Sequence, residues 1–391
     1  MSQNSIALDQ WIRSDFRAIN TELEQLYAAQ SDRAEVEDIG DDLKAKLVAD
    51  GTKLIVALLE EGNTDKGFDA AFEVLGNVGM YMAACRRHEI TEPSRETTSP
   101  LPEASALALN LGASLGVTPR FATSHITTWN PAIDGVYKTF TSVKDEFIFV
   151  DYNTRGVFAY KRAADALVRT LPMGISHPAT YDLLRDAKNA LVDVARYNDI
   201  LFEKLNADEF FYSVRPYYKP FRVGRHEYRG ANAGDFAGVN EIDMLLGLCQ
   251  ANNLSYAQLL VDKFLFMMPE DQVRLRDLMR RTSLLNRFLQ CDDSQQQSDW
   301  YQTNCKIFLE TCKAHGHTAQ QHHDELVNRF IEKPSKALKS AQLEHVTASG
   351  PPLPVLLAAL EKLKDLRIAA PRDDIPSRYR DFERLKATIK N

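Results

Sequence analysis

Apolar residues recur along most of this chain at the three- and four-residue spacing of amphipathic helices. The spacing predicts helices over the following stretches: Leu8–Arg33, Asp41–Glu61, Asp69–Arg87, Ala106–Leu115, Ala159–Leu171, Tyr181–Leu205, Val239–Cys249, Leu254–Met268, Pro269–Leu289, Asp299–Ala314, Ala319–Ile331 and Leu353–Leu366. Only Val136–Thr141 and Glu146–Tyr152 alternate apolar and polar residues as strands do, which predicts a short hairpin. The pattern therefore predicts an all-α, mainly helical fold with at most a short hairpin.

The Ala319–Ile331 stretch combines a helical pattern with a histidine on its apolar face. Thr318 and Gln321 match a capping box at its start. Counted from His323, apolar residues follow at plus three, four, seven and eight, namely Leu326, Val327, Phe330 and Ile331. This spacing places His323 on the buried face and His322 on the solvated face. An imidazole in that position suits an axial haem ligand and equally an ordinary buried histidine, and the helix alone favours the latter.

Composition places the chain in the class of globular proteins with a substantial core. The 391 residues are 44% apolar and 26% charged, which is enough for one large core or two modest domains. The hairpin pattern gives way to helices near residue 150. We therefore predict an N-terminal helical lobe over 1–150 and a second helical domain over 151–391.

Charge and cysteine content narrow the range of partners. A formal net charge of −7 opposes a broad nucleic-acid or anionic-membrane surface. No apolar run approaches the roughly 20 residues that span a bilayer, and the first residues lack the basic and hydrophobic parts of a signal peptide. Five scattered cysteines form no disulfide framework or zinc ribbon. We expect a cytoplasmic protein that binds neither nucleic acid nor membrane, and the sequence leaves homo-oligomer formation open.

Several short motifs resemble known sites without the required context. Gly112–Gly116 matches Gly-x-Ser-x-Gly by letter, but it follows a helical pattern where a nucleophile elbow requires a buried strand. His315, His317, His322 and His323 lack the second ligand pair of a zinc finger. Glycines at 230, 234 and 238 do not form a dinucleotide-binding loop, and the spacing indicates close backbone packing against a helix or a flat ligand.

Arg215 lies in a strongly aromatic stretch, Phe210-Phe211-Tyr212-Ser213-Val214-Arg215-Pro216-Tyr217-Tyr218. A buried guanidinium requires an anionic partner. That partner is either a carboxylate of the protein, which makes Arg215 structural, or the carboxylate of a substrate, which it would bind through two hydrogen bonds. The sequence leaves both interpretations open.

Together these segments resemble the superfamily of indoleamine and tryptophan 2,3-dioxygenases, and its bacterial branch related to monodechloroaminopyrrolnitrin synthase in particular. The resemblance covers roughly residues 205–365. Phe210, Phe211 and Arg215 resemble the element that lines the substrate pocket and binds the amino-acid carboxylate. The His323 stretch is similar to the helix that carries the proximal haem ligand.

Two further segments carry the resemblance and imply cofactor and substrate contacts. Ala233-Gly234-Asp235-Phe236-Ala237-Gly238 with Asp243-Met244-Leu245-Leu246-Gly247 resembles the loop and helix beside the haem. Thr347-Ala348-Ser349-Gly350 stands where the family has a Thr-Gly-Gly-Thr loop. The resemblance thus implies a two-lobed helical bundle with haem b bound through His323. Residues Phe210, Phe211, Arg215, Thr347 and Ser349 would bind substrate, and 233–238 with Gly350 would contact the cofactor.

The departures from the family pattern bear on the reaction. Asp235-Phe236-Ala237 replaces Gln-Ser-Ser, and the Thr-Gly-Gly-Thr loop is altered. The resemblance implies an oxygen-dependent enzyme acting on tryptophan or a related, in some branches halogenated, indole amino acid, with O2 as the second substrate. The altered loop also leaves open a non-catalytic haem- or ligand-binding protein that retains the fold.

Overall fold

The computed structural model describes residues 2–62, 67–231, 233–335 and 353–390. The chain forms two compact units. The first comprises Met1–Asp151, Lys204–Asp235 and Phe330–Leu353, and the second comprises Tyr152–Glu203, Phe236–Arg329 and Pro354–Asn391. The chain therefore passes from one unit to the other more than once, which the predicted division at residue 150 does not include.

Helices make up almost all of the regular structure, as predicted. The α-helices are Gln3–Trp11, Arg17–Ala28, Asp41–Glu61, Phe68–Arg87, Pro102–Leu115, Thr123–Ile126, Lys144–Met173, Pro178–Lys204, Ala207–Glu209, Gly238–Leu246, Leu254–Phe264, Pro269–Leu278, Leu284–Leu289, Asp293–Gln296, Asp299–Gln321, Lys333–Ser335, Leu353–Arg367 and Tyr379–Lys386. Shorter 3₁₀ turns are Pro93–Arg95, Arg215–Tyr218 and Ala233–Asp235, and π-helical segments are Ile12–Phe16, Phe210–Val214 and His322–Glu332. None of the helices in the described ranges is long and apolar enough to cross a membrane.

The one sheet of the described residues is a two-stranded hairpin, Phe221–Val223 paired antiparallel with His226–Tyr228. The prediction of at most one short hairpin is confirmed, but its predicted place was wrong. Glu146–Tyr152 is helical, within Lys144–Met173, and Val136 forms only an isolated bridge. The carboxylate of Glu146 accepts backbone hydrogen bonds of 2.7 Å from residues 140 and 141, so it closes a helix N-terminus where a strand was predicted.

The predicted helix start at Thr318 was also wrong. One continuous helix, Asp299–Gln321, passes through that point and leads directly into the π-helical segment His322–Glu332. Thr318 lies inside this helix, and its hydroxyl donates to the backbone carbonyl of His315 at 2.7 Å. A threonine that bonds back within its own helix is unavailable as a cap.

The core of the first unit surrounds the Phe68–Arg87 helix, which is buried on all sides from Ala71 to Arg87 apart from Glu73. A helix that is buried all round requires small residues where its neighbours approach. Gly79 meets this requirement, because a Cβ at this position would lie 2.2 Å from the backbone nitrogen of Phe121.

The core of the second unit is formed by apolar side chains of the long helices, including Leu167, Leu184, Leu191, Leu246, Leu260, Leu285, Tyr301 and Phe308. A buried polar network, described below, lies among them. The five cysteines are all unpaired, and four of them are buried, where they pack as small apolar side chains.

Candidate functional site

The aromatic stretch around Arg215 forms two consecutive tight turns of the first unit. Asn206 caps the preceding Ala207–Glu209 turn by accepting from the backbone of the next residues. The π-helical segment Phe210–Val214 follows and passes into the 3₁₀ turn Arg215–Tyr218, which we call the Arg215 turn. Proline at the second position of this turn fixes its backbone conformation.

Two arginines of the buried Phe68–Arg87 helix hold the Arg215 turn from both sides. Arg87 donates to the backbone carbonyl of Tyr212 at 3.0 Å, and Arg86 donates to that of Pro220 at 3.2 Å. These bonds satisfy carbonyls that a short irregular turn would otherwise leave unpaired. The backbone position of Arg215 is therefore set by the central helix of the unit.

Arg215 itself is buried, and no described residue pairs with it. Its side chain is 7% exposed, and within the described ranges it makes neither a hydrogen bond nor an ion pair. Burial alone lowers the pKa of its guanidinium to about 10. Its one defined contact is with the ring of Phe211, 5.6 Å from the guanidinium carbon to the ring centroid. No described residue therefore forms the salt bridge that the structural interpretation of Arg215 requires.

Other aromatic rings of the same stretch pack against more distant parts of the first unit. Phe210 packs against Phe149 at 5.0 Å and meets Phe330 edge-on at 6.2 Å between ring centroids. Tyr218 also packs against Phe149, at 5.8 Å. The hydroxyl of Tyr218 is buried and has no hydrogen-bond partner in the part of the chain described. Unpaired polar groups beside aromatic faces suit a ligand that is both flat and polar.

The predicted cofactor-contacting loop, 233–238, is divided between the two units after Asp235. In the first unit, Asp235 is buried and forms ion pairs with Arg120 at 3.2 Å and Arg229 at 2.7 Å. The carboxylate that replaces the family's polar distal group is thus engaged within the protein. Sequence analysis missed both arginines, and Arg120 lies 115 residues from Asp235, so no local pattern joins the two.

The second-unit part of this loop is packed through its aromatic residue. The ring of Phe236 lies 5.5 Å from that of Tyr160 between centroids. A Cβ at Gly238 would lie 3.0 Å from the Phe236 ring, so glycine permits this packing. The buried side chain of Ala237 belongs to the core of the unit.

Gly230, the first of the spaced glycines, closely approaches another part of the backbone. A Cβ there would lie 1.6 Å from the carbonyl oxygen of Tyr218. The interpretation of this glycine as a point of close packing is confirmed, and the backbone that it approaches is that of the Arg215 turn.

His323 is half-buried, with 23% of its side chain exposed, on the π-helical segment His322–Glu332. Its Nδ1 lies 2.9 Å from a carboxylate oxygen of Asp324. Its Nε2 has no hydrogen-bond partner among the described residues. A carboxylate on Nδ1 fixes the ring tautomer and directs the lone pair of Nε2 outward, which is the arrangement of histidine ligands to metals.

His322, the preceding residue, has an exposed ring as predicted. Surrounding protein atoms, with Arg367 and Lys263, lower the pKa of its imidazole to about 4. No hydrogen bond orients its ring within the described residues.

His315 belongs to a buried network that sequence analysis did not find. Its Nε2 lies 2.7 Å from Asp243, which also accepts hydrogen bonds from Arg367 at 2.8 Å and from the Tyr256 hydroxyl at 2.7 Å. All four residues belong to the second unit. The only signal in the sequence was an aspartate within the apolar run Ile242–Leu246.

The described part of the chain contains no group of three or more His, Cys, Asp or Glu side chains that could hold a metal ion. Gly112–Leu115 is helical and Gly116 ends that helix, so the Gly-x-Ser-x-Gly motif forms no nucleophile elbow. Thr347, Ser349 and Gly350 lie outside the described residues.

The mainly helical fold agrees with the class of proteins that the resemblance implied, that of the indoleamine and tryptophan 2,3-dioxygenases. Within this class, residues 2–389 match the model of the family described as monodechloroaminopyrrolnitrin synthase PrnB, and the chain belongs to this family. The match includes the first 150 residues, where motifs gave little resemblance. Membership indicates a haem-dependent oxygenase acting on an indole amino acid.

Proposed function

We propose that the protein binds haem b through His323 and holds the carboxylate of tryptophan or a related indole amino acid with Arg215. The observation that carries this proposal is the buried guanidinium of Arg215, which lies beside Phe211 and has no hydrogen bond or ion pair among the described residues. A desolvated cation without an anionic partner is unfavourable in the free protein. A ligand carboxylate removes that penalty and gains two charge-assisted hydrogen bonds.

The neighbouring side chains favour an aromatic amino acid over other carboxylates. Phe210 and Phe211 are both buried and supply flat apolar surface next to the cation. An indole ring packs well on such surfaces, because aromatic pairs combine area burial with favourable ring geometry. The role of these residues is to orient the ring and to exclude water from it.

His323 fits the requirements of the proximal ligand. Its Nδ1 is held by Asp324, so that Nε2 is left to bind iron. With a neutral histidine as axial ligand, haem supplies the O2 chemistry of the reaction. His322, the adjacent histidine, is the rival ligand, but no hydrogen bond among the described residues fixes its ring.

The test begins with haemin titrations of the wild type, His323→Ala and the matched neighbour His322→Ala, read at the Soret band. We expect His323→Ala to change the coordination spectrum and His322→Ala to leave it unchanged. The reverse result would transfer the ligand role to His322.

A second experiment addresses substrate and reaction. The reduced haem protein is mixed with air and a panel of indole amino acids, halogenated and unhalogenated, and the products are analysed by mass spectrometry. We expect a change in mass for at least one indole amino acid. If haem binds but no indole compound alters the spectrum or changes in mass, the protein is a haem-binding member of the fold without oxygenase activity.

A further inference from the structure

The helix Leu254–Phe264 of the second unit has two apolar faces, one of which is exposed. Its buried face includes Tyr256 and Leu260, which are 1% and 0% exposed. On the opposite side, Leu254 is 85% exposed, Val261 is 64% exposed, and Leu265, directly after the helix, is 60% exposed. A surface helix requires apolar residues only towards the core, so the core of the unit does not explain the exposed face.

The exposed apolar residues form one stripe. An α-helix turns by about 100° per residue, so steps of seven and four residues, from 254 to 261 and on to 265, return to nearly the same side. Leu265 continues the stripe because its backbone keeps the right-handed helical conformation. Val273, on the neighbouring helix Pro269–Leu278, adds a further exposed apolar side chain. We call Leu254, Val261, Leu265 and Val273 the outer face. Contiguous exposed apolar surface marks sites of protein–protein contact, whereas apolar residues scattered singly do not.

Two opposite charges lie on the two sides of this stripe. Asp262 follows Val261 in sequence, which turns it by about 100° to one side. Phe264 precedes Leu265, which turns it by about 100° to the other side. The guanidinium carbon of Arg276 lies 5.3 Å from the centroid of the Phe264 ring, so the positive charge lies on the Phe264 side. Residues 262 and 264 differ by only about 3 Å along the helix axis, so the two charges lie at a similar level.

Neither charge has a counter-ion among the described residues. Asp262 accepts a hydrogen bond of 2.9 Å from the neutral side chain of Gln258 and forms no ion pair there. Arg276 contacts the ring of Phe264 and likewise forms no ion pair within the described ranges. A carboxylate and a guanidinium on either side of an apolar stripe suit a partner that presents the same two charges in the reverse order.

We propose that the outer face is an interface between two copies of this chain, related by a two-fold axis parallel to the helix Leu254–Phe264. A half-turn about such an axis keeps each residue at its level along the helix and exchanges the two sides of the stripe. Asp262 of each copy then faces Arg276 of the other, and the two stripes pack against each other along the axis. A two-fold axis across the helix would instead place like charges on the same side.

The expected dimer is small and reversible. The helix has 11 residues, so the stripe is about 16 Å long, and a contact of this size belongs to the interfaces that bury less than about 1,200 Å² in total. Ion pairs at the rim of such an interface contribute orientation and selectivity more than affinity. We therefore expect a dissociation constant on the order of 10 µM. This inference does not depend on the proposed function.

The test is sedimentation velocity of the whole chain between about 1 and 300 µM, a range that includes the expected dissociation constant. We expect the wild type to change from monomer to dimer over this range. Val261→Asp places a charge on the axis opposite its own copy and should leave only monomer. Val192→Asp is the matched control and should dimerise like the wild type, because Val192 is an exposed valine of another helix of the same unit, Pro178–Lys204. Circular dichroism verifies that each variant is folded.

Charge reversal tests the pairing itself. Asp262→Arg leaves each copy with two cations beside the stripe, and Arg276→Asp leaves each copy with two anions. Each variant alone should therefore dimerise about tenfold more weakly than the wild type, or more weakly still. An equimolar mixture of the two variants brings opposite charges together at both contacts and should recover dimer formation. A wild type that remains monomeric at about 300 µM would overturn the proposal. A dimer that Val261→Asp leaves intact, or a mixture without recovery, would overturn it as well.

Discussion

His315 and Asp243 lie 72 residues apart in sequence, and their side chains are joined by a buried hydrogen bond of 2.7 Å. Arg367 completes the network with hydrogen bonds of 2.8 and 2.9 Å to the same carboxylate. The network links the helices Gly238–Leu246, Asp299–Gln321 and Leu353–Arg367 at the segment that leads to His323. Loss of one of these hydrogen bonds should therefore lower the stability of the second unit.

Asp243→Asn leaves the charge of Arg367 buried without its counter-ion. Loss of one partner of a buried pair lowers the free energy of unfolding by roughly 3–5 kcal/mol. Denaturant unfolding measures this loss, and Asp277→Asn is the control, because Asp277 forms an exposed pair with Arg281. We expect Asp277→Asn to lower the free energy of unfolding by less than about 1 kcal/mol. A loss of similar size in both variants would show that the buried network adds no stability.

The Asp243 carboxylate should also make the protein less stable at acid pH. Burial raises the pKa of Asp243, but Arg367 and His315 outweigh it and hold this pKa well below its usual range. A lowered pKa in the folded state contributes stability above the unfolded value of about 3.9, and this contribution is lost as the pH falls further. Unfolding free energies between pH 6 and pH 3 should therefore fall less steeply in Asp243→Asn. If the unfolding free energy of Asp243→Asn falls with pH as steeply as that of the wild type, Asp243 is not the cause of the decline.

Arg215→Leu should weaken binding without damage to the fold. Removal of a charge-assisted bidentate interaction costs about 1.5–3 kcal/mol, or roughly ten- to hundredfold in the dissociation constant of a carboxylate ligand. Because the guanidinium is unpaired in the described structure, the free energy of unfolding of the ligand-free variant should be unchanged or raised by about 1 kcal/mol.

Arg87→Leu is the matched control for this variant. Arg87 contacts the same aromatic stretch, but it is paired with the buried carboxylate of Glu24. Its loss should lower the free energy of unfolding by roughly 3–5 kcal/mol. If Arg215→Leu destabilises the protein as much as Arg87→Leu does, Arg215 is a structural residue.

Gly230→Ala tests the close approach beneath the Arg215 turn. The added methyl would lie 1.6 Å from the Tyr218 carbonyl oxygen, so backbone must move and both stability and carboxylate binding should fall. Gly156→Ala is the control, because a Cβ there has no atom within 4 Å and the position is helical. Alanine at 156 should raise the free energy of unfolding by up to about 1 kcal/mol. Equal melting temperatures for the two variants would be evidence against the close approach.

Local patterns in the sequence determined most of the secondary structure. Asp41–Glu61 was predicted with its observed limits, because its apolar spacing, acidic first turn and glycine at the end are all properties of neighbouring residues. Glu146–Tyr152 was assigned wrongly for the same reason. Its alternating aromatic and aliphatic residues fit a strand as well as a helix, and the cap that selects the helix is a hydrogen bond back to residues 140 and 141.

The candidate site likewise has some features that the sequence predicted and others that only the structure shows. An arginine among aromatic residues and glycines at regular spacing are visible in the sequence, and each led to a specific expectation. The sequence could not show that Arg215 has no counter-ion among the described residues, whereas Asp235 is paired with Arg120. Arg120 and Asp235 are 115 residues apart, and Asp243 and Arg367 are 124 apart. Which buried charge meets a counter-ion depends on the packing of elements distant in sequence, and only the tertiary structure decides it.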